Sequence, residues 1–106
     1  MSIDHKAEVA KYDANADEKV VDAIIKHLGI ALRSRDASLV SCSSKDELAR
    51  VRDSWLKKKL ALGDDDAALD RAIKSVCETM KADRAKSRVA FYYLLAKNFD
   101  KIGALA

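Results

Sequence analysis

The sequence predicts an all-α fold: a compact irregular array of about five helices forming a single domain over residues 1–106. Three observations carry this. The chain has no proline and only three glycines, Gly29, Gly63 and Gly103, each following an apolar stretch with helical spacing. No run alternates β-branched and polar residues, and no Asn-Gly or Asp-Gly hairpin dipeptide occurs. Apolar residues instead recur every three or four positions, the period that places side chains on one face of a helix.

The first segment, about 4–12, is short and weakly amphipathic, and so marginal by itself in water; residues 1–14 are expected to be loosely docked or frayed. The second, about 17–28, has Asn15 as candidate cap, Asp17 and Glu18 at the positive helix start, and Val20, Ile24 and Leu28 along one face. In "IALRSRDASLVSCSS" the pattern is broken, with Ser34 able to cap a short helix carrying Leu39 and Val40. The third segment opens at "SKDE", where Ser44 and Glu47 have the spacing of a capping box. Leu48, Val51, Trp55 and Leu62 then fall within about 60° at the 100° helical step. The fourth starts within "GDDDAALD", with Leu69, Ala72, Ile73, Val76 and Met80 on one face and Arg71, Lys74 and Glu78 on the other. The fifth runs from about 83 to 102 and contains "RVAFYYLLAKNF".

That last segment decides between core and surface. On a helical wheel, Val89, Tyr92, Tyr93, Ala96 and Phe99 form one stripe, and Phe91, Leu95 and Ile102 a second beside it. The apolar arc covers about half the circumference and needs neighbours on both sides. The favoured reading is a core helix covered by the chain's own neighbours; if Phe91, Leu95 and Ile102 are left bare, they are the candidate interface, through which a homodimer or a protein partner would bind. Lys86, Ala90, Lys97 and Lys101 fall on the opposite, expectedly wet face, so the lysines do not interleave with the rings as a base-stacking groove requires.

The net charge is +3, but residues 45–63 carry six basic and three acidic side chains while 64–83 carry three and six. Basic and acidic stretches on neighbouring helices offset one another. Lys57, Lys58, Lys86, Lys97 and Lys101 are candidate anion or nucleic-acid contacts. Consecutive lysines on a helix point in different directions, however, and "KADRAKS" is longer than a helix-turn-helix turn.

No metal or cofactor site is read. Asp64, Asp65 and Asp66 lack the alternation, glycine and terminal glutamate of a calcium loop and suit a helix start. His5, His27, Cys42 and Cys77 lack the short spacings of a zinc site. No nucleophile elbow, phosphate-binding glycine loop or dinucleotide fingerprint occurs, so no catalytic residue is assigned and the reading leans away from an enzyme. A pocket around Tyr92, Tyr93, Trp55 and His27 is the remaining candidate for a small ligand. The longest apolar run, 89–96, is too short to span a membrane. The polar N-terminus does not read as a secretory signal, so a cytoplasmic location is expected, with both cysteines as free thiols.

The stretches "DAS" with Val40 close behind, "ELARVRDSWLKKKLAL" and "SRVAFYYLLAKNF" resemble a family of small bacterial proteins catalogued as domain of unknown function 2853. The resemblance runs from about Val20 to Ile102. It implies a compact array of helices and carries over no activity, cofactor or catalytic residue. The functional expectation is thus a small cytosolic helical protein acting as an interaction or structural module, with nucleic-acid binding and small-ligand binding or catalysis as alternatives.

Overall fold

A computed structural model describes residues 5–29, 39–83 and 86–105. The elements are α1 (His5–Ala10), α2 (Glu18–Leu28), β1 (Leu39–Val40), α3 (Lys45–Arg50), a π-helix (Val51–Lys59), α4 (Asp66–Thr79), β2 (Lys86–Ser87), α5 (Arg88–Asn98) and α6 (Ile102–Leu105). The one departure from helices among the described residues is a two-residue antiparallel ladder, Leu39 opposite Ser87 and Val40 opposite Lys86. Leu39 and Val40 are therefore strand rather than helix; Ser34 lies outside the described residues.

The apolar width of α5 is explained by its place at the centre. Val89, Ala90, Phe91, Leu95 and Ala96 are fully buried, and Tyr92 and Tyr93 nearly so, with α1, α2, α4 and the π-helix packed around the helix. A helix apolar on all sides belongs inside a protein. Phe91 and Leu95, read from the sequence as candidate interface, are covered by this chain's own elements. Ile102 begins α6 and is partly buried against the same core. The face expected to be wet is also partly closed, since Ala90 is buried as well.

The π-helix follows from the spacing of its apolar residues. Continued at 100° per residue from Val51, Leu56 and Leu60 would point away from Trp55. With i→i+5 bonding, at roughly 4.4 residues per turn, Val51, Trp55, Leu56 and Leu60 gather on one face, and all four are buried. Lys57, Lys58 and Lys59 are left exposed on the rest of the surface. Leu60 closes the run with its N–H donating to the Trp55 carbonyl at 2.9 Å. Leu48 and Leu62, expected on the core stripe, are only partly buried.

Caps follow the sequence in part. Ser44 accepts from the Glu47 N–H at 3.2 Å, as the capping box predicts. Glu47 does not complete the box, because its carboxylate pairs with Arg88. Asp17, not Asn15, caps α2, Asp65 caps α4 and Ser87 caps α5. Gly29 ends α2 at φ 41°. Among the described residues the other two with left-handed backbone are Ala61, after the π-helix, and Asp100, after α5. Gly63 and Gly103 are thus not the helix terminators they seemed, and Gly103 lies inside α6. Asp100 divides the predicted fifth helix, with the Lys101 N–H turning back to the Ala96 carbonyl at 2.8 Å.

Arg88 ties three elements together. Its guanidinium pairs with Glu47 of α3, donates to the Leu39 carbonyl of β1 at 3.1 Å and lies 5.8 Å from the centre of the Tyr92 ring. The two charged side chains are only 11% and 18% exposed, so removing one strands the other away from water. Arg88→Met is expected to cost about 2–3 kcal/mol in urea unfolding. Arg88→Lys should recover only part of this, because an ammonium lacks the planar fork.

The N-terminal segment is docked rather than loose over its described residues. Val9 is buried, the Tyr12 hydroxyl donates to Asp83, and the Tyr93 hydroxyl donates to Asp13 at 2.7 Å. Burial, reinforced by these carboxylates, pushes both phenols up to about 12 from their ordinary 10. A folded-state value above the unfolded one means the stabilisation is complete below pH 10, drains as unfolded tyrosines ionise, and is gone above about 12. The urea midpoint should therefore fall across that alkaline window, and Tyr93→Phe should flatten the fall.

Candidate functional site

A hollow of about 810 Å3 forms a groove between α3 with the start of the π-helix on one side and α4 on the other. Its α4 wall is a stripe beside the core stripe. Asp70, Ile73, Lys74 and Cys77, with Lys81 just past the helix end, recur at helical spacing, so Ile73 touches core and groove together while the rest face the opening. On the opposite wall Lys45, Leu48, Ala49 and Arg52 repeat at three and four residues along α3 and into the π-helix.

A disulfide bridges the groove. Cys42, in the turn between β1 and α3, is bonded to Cys77 of α4 with their Cα atoms 6.0 Å apart. The expectation of two free thiols is thereby corrected. It rested on an assumed reducing compartment, whereas the fold places the two side chains in bonding range across 35 residues of sequence. No sequence signal could have found the pair, because nothing local relates "SCSS" to the fourth helix.

Polar contacts define the ends. Arg52 Nη1 donates to both carboxylate oxygens of Asp70, at 3.2 and 3.3 Å, joining the walls. Lys86 donates to the Asp83 carbonyl at 2.8 Å. Lys45, Asp46, Lys74, Glu78 and Lys81 also line the space, and basic residues in the lining outnumber acidic ones by five to three. The arrangement can hold an apolar body against Leu48, Ala49 and Ile73 while offering ammonium groups to a negative charge.

The residues singled out in the sequence sit elsewhere, apart from Lys86. Lys57 pairs with Asp66 at 2.6 Å, which holds its ammonium above the ordinary value, and Lys97 pairs with Asp13 at 3.2 Å. Lys58 is exposed beside Arg50 and Asp53 in a smaller hollow of about 300 Å3, and Lys101 is half-buried in the connection just before α6. Lys57 and Lys58 share the π-helix while Lys86, Lys97 and Lys101 lie elsewhere in the fold, and three of the five are already engaged. The aspartates of "GDDD" have structural partners too, Asp65 as a cap and Asp66 with Lys57.

The aromatic pocket read from the sequence is filled by its own rings. Trp55 is fully buried, stacks on Tyr92 at 4.7 Å and donates its indole N–H to the Tyr92 carbonyl at 3.1 Å. His27 leans on the same indole at 5.2 Å, and burial, with Lys59 nearby, lowers its pKa. None of Trp55, Tyr92, Tyr93 and His27 lines the groove. No helix among the described residues is long and apolar enough to cross a membrane.

The profile of the family described as "Protein of unknown function (DUF2853)" matches residues 4–103. The chain belongs to that family, as its sequence resemblance implied. No curated protein matches the chain.

Proposed function

We propose that this protein is a binding module for small amphipathic anions and that the groove between α3 and α4 is its recognition site. One observation carries the reading: a hollow of about 810 Å3 combines Leu48, Ala49 and Ile73 with Lys45, Lys74 and Lys81. Its size falls within the roughly 300–1,000 Å3 of small-ligand sites. Among the described residues these three lysines make no ion pair, so their charge is available to a ligand. The competing surfaces offer less. Phe91 and Leu95 are spent in the core, and Lys57 and Lys97 on intramolecular carboxylates.

Titration of the 15N-labelled protein with octanoate, octan-1-ol and octylammonium tests the reading. Octanoate should shift amide resonances concentrated in residues 45–52 and 70–81 and bind most tightly, with octylammonium the weakest of the three. Lys74→Glu with Lys81→Glu should weaken octanoate by about fivefold or more, each lost ion contact being worth up to about 1 kcal/mol. Equal binding of octylammonium and octanoate, or shifts confined to another face, would overturn it.

A further inference from the structure

The disulfide is placed for chemistry as well as for bracing. Cys42 and Cys77 both line the open groove and are partly exposed, whereas a purely structural cystine is commonly shut inside a core. We propose that Cys42–Cys77 is a thiol–disulfide exchange site for small anionic thiols that enter the groove, and that attack falls on the Cys77 sulfur.

Charge selects the reagent. The attacking species is a thiolate, and a carboxylate elsewhere on the same molecule adds attraction to a lining in which cations outnumber acids by two. Position selects the sulfur. Cys77 sits in the last turns of α4, where the negative end of the helix disfavours a thiolate. Cys42 lies in the turn before α3, three residues before Lys45. The sulfur that leaves better as a thiolate is therefore Cys42, so the incoming thiolate bonds to Cys77.

The reaction balances with two equivalents of thiol. The first thiolate forms a bond to Cys77 Sγ as the Cys42–Cys77 bond breaks, and the electron pair leaves on Cys42 Sγ, which takes a proton from water. A second thiolate then attacks the reagent sulfur of the mixed disulfide. It releases the Cys77 thiolate and a free small-molecule disulfide, so the protein gains two electrons and the reagent is oxidised.

Both partners stay anchored once the bond is cut. Leu69, Ile73, Val76 and Met80 hold α4 in the core. Val40 is buried, β1 remains paired with β2, and Glu47 remains on Arg88. Exchange can then proceed on folded protein and reverse under an anionic disulfide.

The test is the rate of reduction by 3-mercaptopropionate, 2-mercaptoethanol and 2-mercaptoethylamine, each expressed per thiolate and corrected for intrinsic nucleophilicity. At low ionic strength the anionic thiol should lead and the cationic one trail, over a span of about fivefold or more that collapses near 0.5 M salt. Acid-trapped mixed disulfide should map to Cys77, and Lys74→Glu with Lys81→Glu should erase or invert the order while helical circular dichroism is unchanged. Equal rates, a reversed order or reduction only after denaturation would overturn the exchange site, and trapping on Cys42 would overturn its direction. The inference rests on the access and charge of the groove alone. If octanoate fails to bind while the thiol order holds, only the ligand reading falls; if octanoate binds and the order is absent, only this one does.

Discussion

Trp55→Ala should destabilise the protein by about 3–5 kcal/mol, the range for removing a fully buried large aromatic. Trp55 has no exposed surface, stacks on Tyr92 and donates its N–H to the Tyr92 carbonyl. Truncation removes all three contributions and opens a void between the π-helix and α5, whose backbones cannot close together freely. Against a total stability of about 5–15 kcal/mol for an ordinary domain, this is a large fraction. Trp55 is the one tryptophan in the chain, so unfolding of the variant must be followed by circular dichroism rather than indole fluorescence. Trp55→Phe keeps most of the ring and loses the hydrogen bond and some volume, and is expected to cost about 1–2 kcal/mol. A loss below about 1 kcal/mol for Trp55→Ala would refute the central role given to this contact.

Replacing both cysteines, Cys42→Ser with Cys77→Ser, should cost about 2–4 kcal/mol. The bond closes a loop with a sequence separation of 35 residues, for which chain entropy alone predicts close to 4 kcal/mol; measured values commonly fall short of that figure. The helical spectrum should persist at low urea, since the core residues of α4 and the Glu47–Arg88 pair do not depend on the bond. The same curve should be obtained from the unmodified protein in a strong dithiol, and the variant itself should ignore the reductant. A urea midpoint indifferent to the dithiol would contradict the bond's contribution.

Much of the helical plan was legible. The faces of α2 and α4, the Ser44 cap and the capping role of the "GDDD" aspartates are local, written in residues three or four apart that a helix brings together whatever surrounds it. The π-helix was legible in principle, since Val51, Trp55, Leu56 and Leu60 match its longer period better than the α period. An α-helical wheel applied by default hides that match. The strand character of Leu39–Val40 was not legible, because two residues carry no period and become a strand only where Lys86 and Ser87 offer backbone partners.

The candidate site lay almost wholly outside local reading. Lys86 apart, no groove residue stood out along the chain as a ligand contact, and the space exists because of how α3, α4 and the π-helix pack together. The sequence by itself determined that this chain builds helices, where most of them start, and that its final aromatic helix demands cover on several sides. Only the tertiary structure decided that the cover comes from the chain itself, that Cys42 meets Cys77, and that Lys45, Lys74 and Lys81 border one groove. Helix periodicity is a short-range property, whereas the choice of which face meets which is set by the packing of the whole core.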